Sequence, residues 1–229
     1  VDAFAKGGNA IDAAIATALT LGVVDNFNSG IGGGCFILIR TAKGEVYAID
    51  GREMAPSAAT QDLFQNAKGR FANPSQTGAL ASGVPGALQA YAQAVAEHGR
   101  LGLSAPLQKG MEAAENGFPV TDAYAGKLRI AKKAMVQFPG AVKVFFRPDP
   151  TTRIVEPYRV GEILKQSDLA TTYRMISQKG TDWFYRGAFA ELADQWMKAN
   201  GGIMSATDFA KYETVNRRPS RSKYRDFEI

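Results

Sequence analysis

A single cysteine and a single histidine, Cys35 and His98, sit in a chain of 229 residues. One cysteine excludes an internal disulfide framework and a cysteine-based zinc site within this chain. One histidine excludes a histidine-rich metal site. Any Ser/His/Asp triad would have to pass through His98, and no G-x-S-x-G elbow accompanies it. Long apolar runs are scarce too. The longest stretch, Ala13 to Val24, is broken by Thr17, Thr20 and Gly22, short of the roughly 18 residues a membrane-spanning helix needs. The opening VDAFAKGGNAIDAA has no basic stretch followed by an apolar one, so no signal peptide is visible in it, and the chain reads as beginning mid-domain.

What is present is an ordinary globular composition. Hydrophobic residues make up 45% of the chain, enough for a full-sized core, and the length suits one large domain or two small ones. The formal net charge is +5, from 27 Lys+Arg against 22 Asp+Glu. The basic residues are scattered until NRRPSRSKYR, Asn216 to Arg225. A nucleic-acid interface would interleave aromatics and bring a reading helix or strand. Neither accompanies this cluster, which is expected to be a solvated loop or a subunit contact.

Apolar residues at helical spacing predict an alanine-rich helix from Asn9 to Leu21, with Asn9 or Asp12 as its cap or first-turn acid. NSGIGGGC, Asn28 to Cys35, cannot continue it, because closely spaced glycines favour loops. CFILIR (Cys35 to Arg40) and EVYAID (Glu45 to Asp50) read as strands of a hairpin joined by TAKG. Gln61 to Gly78 reads as a surface segment with at most one helical turn. Helices are then expected over Ser82 to Gly99, capped by Ser82 or Gly83, over Ser104 to Gly117, capped by Ser104, and from the cap Thr121 onward. Val142 to Glu162, with Pro148, Pro150 and Pro157, suggests a short strand, an irregular connection and a hinge. Capped amphipathic helices follow over Ser167 to Gly180 and Arg186 to Gly202, and another starts at Ser205. YRDFEI has strand character. This helix-rich pattern suits helices stacked on the faces of a sheet, yet the strands are too few for an independent sheet, so something else should complete it.

Three constellations bear on chemistry. The glycine run Gly30 to Gly34 stands between a helix and a strand, the reverse of a phosphate-binding loop, and no helix follows it, so nucleotide binding is not expected. Either it lets the helix turn tightly into the hairpin, or it lets backbone approach a ligand or partner chain closely. Cys35 would need a base to act as a nucleophile, and the only imidazole, His98, is placed at the end of a predicted helix. A buried strand cysteine is the default. Arg52 follows the second strand directly, where a guanidinium can fork onto a carboxylate. On local chemistry alone, a surface ion pair with Asp50 or Glu53 is favoured.

Seven blocks together resemble the gamma-glutamyltransferase (gamma-glutamyltranspeptidase) family. They are GGNAIDAAIATALTLGVV (Gly7 to Val24), SGIGGGCFILIR (Ser29 to Arg40), IDGREMAPSAAT (Ile49 to Thr60), LASGVPG (Leu80 to Gly86), NGFPVTD (Asn116 to Asp122), DWFYRGAFAELADQ (Asp182 to Gln195) and GGIMSATDFAKYE (Gly201 to Glu213). Their order is the family's, and they cover nearly the whole chain. The resemblance implies an N-terminal-nucleophile hydrolase of α/β (α+β) class with an α-β-β-α sandwich. Residues 1–229 would be one helix-rich large-subunit segment of that domain, with no independent second domain, completed by a small subunit cut from the same precursor.

In the family the nucleophile is the threonine that begins the small subunit, its own amine serving as base. Neither it nor the family's serine, asparagine and oxyanion-glycine motifs occur here, so the resemblance places no catalytic residue in this chain. The arginine of the R-E-x-A-P block binds the α-carboxylate of the gamma-glutamyl group, and that position is Arg52. Two positions depart from the pattern and bear on the pocket wall. Gly51 stands where many members carry a larger residue, and Cys35 ends the glycine run. The implied partners are the small subunit and a gamma-glutamyl small molecule such as glutathione, with no cofactor, metal, nucleic acid or membrane segment. The family also suggests a periplasmic or extracellular setting. The alternatives are a cephalosporin or glutaryl acylase of the same family, and a non-catalytic binding or scaffold homologue.

Overall fold

A short helix α1 (Asp2–Ala5) leads into α2 (Ala10–Val24) in the computed structural model, which describes residues 1–65, 73–148, 151 and 155–228. Asn9 caps α2 as expected: its side-chain oxygen accepts the N–H groups of Ile11 and Asp12 at 2.9 and 3.3 Å, and Asp12 accepts the Asn9 N–H at 2.8 Å. The helix runs three residues past the expected end at Leu21 because Gly22 sits inside it by necessity. A Cβ there would lie 3.0 Å from Tyr173 Oη and 3.1 Å from the Gly30 Cα. Asp12 also reaches beyond its own helix. Its buried carboxylate accepts the N–H groups of Arg100 (3.0 Å) and Leu101 (3.1 Å), tying the start of α2 to a loop nearly 90 residues away.

The hairpin forms where two apolar runs joined by TAKG predicted it, as β1 (Cys35–Arg40) and β2 (Val46–Gly51), antiparallel with Cys35 opposite Gly51 and Arg40 opposite Val46. Of the polar excursion after it, residues 66–72 lie outside those described, and the flanking residues are turns. Helix α3 (Ala87–His98) begins later than expected, and neither Ser82 nor Gly83 caps it. Val84 instead pairs with Met54 in an isolated β-bridge, so Ser82 to Pro85 is committed to extended backbone. Helix α4 (Ser104–Asn116) contains Ser104 as its first residue, with no side-chain cap, and stops at Gly117, whose φ of 85° only glycine adopts readily.

A two-residue strand β3 (Phe118–Pro119) precedes α5 (Asp122–Met135), which Thr121 caps by accepting the Tyr124 N–H at 3.2 Å. The short strand expected in the segment from Val142 begins only at Phe146, because Val142 to Phe145 is the end of a helix α6 (Pro139–Phe145) started by Pro139. A hairpin of β4 (Phe146–Pro148) and β5 (Val155–Pro157) follows, then β6 (Ile163–Leu164), which pairs with β3. Next come α7 (Ser167–Lys179), α8 (Asp182–Tyr185), α9 (Ala188–Ala199) and α10 (Ala206–Ala210). α7 and α9 lack the side-chain caps that were expected, whereas Ser205 caps α10 reciprocally with Asp208. Strand β7 (Val215–Arg217) then returns to pair with β2, and β8 (Lys223–Tyr224) and β9 (Phe227–Glu228) form a terminal hairpin.

The resulting sheet has the order β1-β2-β7. Its inner face puts Ile39 and Ile49 into the main core, with Leu19, Leu88, Leu107, Tyr173 and Phe184. Fully burying a side chain of this size contributes about 1.5–3 kcal/mol. A smaller cluster of Val120, Tyr124, Ala125, Leu128 and Leu164 holds the segment of α5, α6 and β3 to β6. The outer face of β1 is different: Phe36 and Leu38 are 68% and 69% exposed. Two adjacent large apolar side chains on an edge strand are a surface that proteins normally cover.

Candidate functional site

Where β2 ends, the main chain is gripped from both sides. Asp50 Oδ1 accepts the Arg52 N–H at 3.0 Å, and Tyr212 Oη donates to the Arg52 carbonyl at 2.8 Å. The next residue, Glu53, lies against the glycine run. A Cβ on Gly34 would sit 2.6 Å from Glu53 Oε2 and 2.8 Å from both the Glu53 nitrogen and the Gly51 carbonyl. Gly33 contributes its carbonyl to the first turn of α3, accepting from Gly86 N and Ala87 N at 3.0 Å each. The glycine run therefore serves close backbone approach at Gly34 and the start of a helix at Gly33. Those α3 amides are already bonded to a carbonyl, which removes them as an anion site.

Between this wall and the helices α6 and α7 lies a cleft of about 940 Å³. Glycines 30 to 34, Cys35, Arg52 and Glu53 form one side, Val144 and Phe145 of α6 another, and Gln166, Asp168, Thr172 and Tyr173 the far side. Gln166 is fixed there by donating to the Val23 carbonyl at 2.8 Å and accepting from Asn26 Nδ2 at 3.4 Å, and Tyr173 by donating to the Leu19 carbonyl at 3.0 Å. Arg52 is the one cationic side chain among the described residues that line the cleft. Among the described residues no group of three or more His, Cys, Asp or Glu side chains is placed to hold a metal ion.

The ion pair expected for Arg52 with Asp50 or Glu53 forms with Glu53, while Asp50 takes a different partner. Asp50 Oδ2 accepts from Arg217 Nε and Nη2, both at 2.9 Å. The Arg52 N–H is the first cause that holds the Asp50 carboxyl below its ordinary range, and Arg217 adds to it. Among the described residues the Arg52 guanidinium forms an ion pair with Glu53 Oε2 alone, at 3.5 Å, with the arginine side chain 60% exposed. An ion pair that long and that exposed contributes under about 1 kcal/mol. A carboxylate entering the cleft can therefore take both arms of the fork at little cost.

Cys35 and His98 are not brought together. His98 lies tilted against Tyr47, with ring centroids 4.6 Å and ring planes 44° apart. Tyr47 pairs with Ile39, four residues along β1 from Cys35, or about 13 Å at strand rise. Burial pushes the Cys35 thiol up, with Glu53 and Asp50 adding to it, to a pKa of about 11. It stays a thiol at neutral pH. The basic stretch Asn216 to Arg225 contributes Arg217 to the sheet and to Asp50, while Arg218, Lys223 and Arg225 are exposed.

Tyr212, Arg217, Gln166 and Tyr173 are site residues that reading the sequence did not single out. Each acts across 140 residues or more, from Gln166 on Val23 to Arg217 on Asp50, so no local spacing announces it.

A family model described as gamma-glutamyltranspeptidase matches residues 1–229. The chain is 36% identical over 231 residues to a glutathione hydrolase proenzyme of Escherichia coli (strain K12), a match that takes in 100% of the chain and 39% of that protein. It superposes on the crystal structure of Helicobacter pylori gamma-glutamyltranspeptidase with a TM-score of 0.92 at 35% identity, covering 100% of the chain and 64% of the other. On a cephalosporin acylase from Bacillus halodurans the TM-score is 0.86 at 31% identity, covering 99% and 42%. The chain thus spans about two fifths of the length of the curated relatives it matches.

Proposed function

The chain belongs to the gamma-glutamyltranspeptidase family, and from that premise we propose that residues 1–229 act as a large-subunit segment of a hydrolase or transpeptidase of gamma-glutamyl amides such as glutathione. Arg52 binds the donor's α-carboxylate. A threonine on a companion small subunit attacks the γ-carbonyl to give an acyl-threonine ester, which water or an amino acid then takes over. The observation that carries this reading is the guanidinium itself, the one positive charge among the described residues of the cleft wall, held on a fixed main chain and only loosely engaged by Glu53.

The chemistry divides between the chains accordingly. Arg52 supplies affinity and orientation: a bidentate grip on the α-carboxylate leaves one direction for the γ-carbonyl, which holds the donor for attack. The family resemblance assigns the nucleophile to the companion chain, and Cys35 does not compete for the role: its thiol is protonated at neutral pH and the chain's one histidine stands far along the sheet. The exposed outer face of β1, with Phe36 and Leu38, fits a companion chain that continues the sandwich. An extracytoplasmic setting accords with the family.

A glutaryl or cephalosporin acylase would use the same arginine on a carboxylate that lacks a neighbouring amine, and the likeness to the Bacillus halodurans acylase keeps that reading in view. Turnover of gamma-glutamyl and glutaryl anilides by the enzyme assembled from its full precursor separates the two. Preference for the gamma-glutamyl anilide is expected, and preference for the glutaryl anilide would turn the assignment to the acylase. Arg52→Lys removes the fork and keeps the charge. Losing one charge-assisted hydrogen bond is worth about 1.5–3 kcal/mol, or a rise in KM of about 10- to 100-fold.

A further inference from the structure

Tyr212 lies 160 residues from Arg52 in sequence yet donates to its carbonyl at 2.8 Å. The tyrosine is 3% exposed and stacks on Tyr185, with centroids 5.8 Å apart and ring planes 16° apart. Tyr185 is itself fixed: its hydroxyl donates to the Pro85 carbonyl at 3.0 Å and accepts the Gln89 N–H at 3.1 Å. Between these pieces stands Gly86, where a Cβ would fall on top of Tyr212 Oη and the Gly51 carbonyl. The turn LASGVPG thus leaves a slot one hydroxyl wide, and that hydroxyl ends on the Arg52 peptide.

Packing alone does not account for the hydroxyl. The ring supplies the stack and the buried area, and a phenylalanine would supply both. What the oxygen adds is one directed bond to the residue that carries the cleft's positive charge. On the other side Asp50 Oδ1 takes the Arg52 N–H at 3.0 Å, and Asp50 is itself locked by Arg217. With both of its main-chain polar groups committed, one in each flanking peptide unit, Arg52 has its Cα–Cβ direction set before any ligand arrives.

We propose that Tyr212 is a positioning residue for the Arg52 carboxylate clamp, its buried hydroxyl holding the Arg52 main chain so that the guanidinium enters the cleft in one orientation. The proposal rests on the assignment of Arg52 to the donor carboxylate. A displacement of 1 Å at a positioning group costs about 100-fold in rate, so a long, exposed arginine gains most from a fixed origin. Burial, with Asp50, Cys35 and Glu53 nearby, raises the tyrosine to about 12, so it remains a donor throughout the neutral range.

The test uses the enzyme assembled from its full precursor, with gamma-glutamyl-p-nitroanilide and its α-methyl ester as donors. Tyr212→Phe should raise KM for the free carboxylate about tenfold, with the ester much less affected, since one hydrogen bond of about 1.4 kcal/mol is removed. In an Arg52→Ala background the same substitution should add nothing, because the two act as one unit. Equal losses on both donors, or losses that simply add to those of Arg52→Ala, would make Tyr212 an ordinary core tyrosine and overturn the proposal. If Arg52→Ala alone leaves the preference for the free carboxylate intact, the failure lies with the assignment of Arg52, and the clamp proposal falls with it. Should Tyr212→Phe not fold, Tyr212→Met, which fills the slot without an oxygen, takes its place in the same comparison.

Discussion

Adding one methyl at Gly86 should damage both stability and the site. The backbone there, φ −118° and ψ −19°, suits alanine as well as glycine, and on chain entropy alone Gly86→Ala would stabilise by about 0.4–1 kcal/mol. Sterics oppose this. The new Cβ would overlap Tyr212 Oη and Cζ and the Gly51 carbonyl, of which only the tyrosine can move. Overpacking costs about 1–3 kcal/mol. Displacing Tyr212 gives up its bond to Arg52, about 1 kcal/mol, and part of its stack on Tyr185, about 0.5–1.5 kcal/mol. The net effect is a loss of about 1.5–5 kcal/mol, which at 2–4 °C per kcal/mol for a chain of this size lowers Tm by about 3–20 °C. Thermal unfolding followed by far-UV circular dichroism measures it. Placing Tyr212→Phe beneath Gly86→Ala should recover part of the loss, since one obstructing atom is gone. An unchanged or higher Tm for Gly86→Ala would mean that the slot around Tyr212 is looser than described, and the reasoning that links Gly86, Tyr212 and Arg52 would fail.

Cys35 should alkylate slowly at pH 8, where a thiol with a pKa of about 11 is only about 0.1% thiolate, and the rate should climb about tenfold per pH unit up to pH 10; fast labelling at pH 8 would contradict the environment described. Asp208 offers a stability test. Burial pushes its carboxyl up, but the hydrogen bonds from Ser57 and Ser205 outweigh this and hold it at about 2, against 3.8 ordinarily. Its contribution, ~2 kcal/mol, is therefore complete above pH 3.8 and lost as pH falls from there through 2. Asp208→Asn should lower stability at pH 7 and flatten the acid limb of a pH series of denaturant melts, whereas an unchanged acid limb would exclude Asp208 as its source.

Local signals carried much of the fold. The caps at Asn9, Thr121 and Ser205 were readable because each side chain bonds a backbone N–H two or three residues on. The β1–β2 hairpin showed itself in two β-prone runs either side of the short turn TAKG. Failures occurred where a distant partner decided the outcome. Ser82 does not cap α3 because its segment is drawn into a bridge with Met54, and β7, short and exposed, owes its existence to pairing with β2 across some 165 residues. Val142 to Phe145 joins a helix despite its β-prone residues, behind the Pro139 start. At the site, local chemistry pointed to a surface ion pair of Arg52 with Asp50 or Glu53. The structure makes the loose pair with Glu53, gives Asp50 to Arg217 and sets Arg52 on the cleft wall, a division of partners invisible without the fold.

The role of Arg52 is tested most directly by comparing gamma-glutamyl-p-nitroanilide with the analogue that lacks its α-carboxylate, using wild-type and Arg52→Ala enzyme assembled from the full precursor. The account predicts that wild-type strongly prefers the carboxylate-bearing donor and that Arg52→Ala loses most of this preference, about 2–4 kcal/mol or roughly 30- to 1000-fold in kcat/KM. A preference that survives Arg52→Ala undiminished would contradict it.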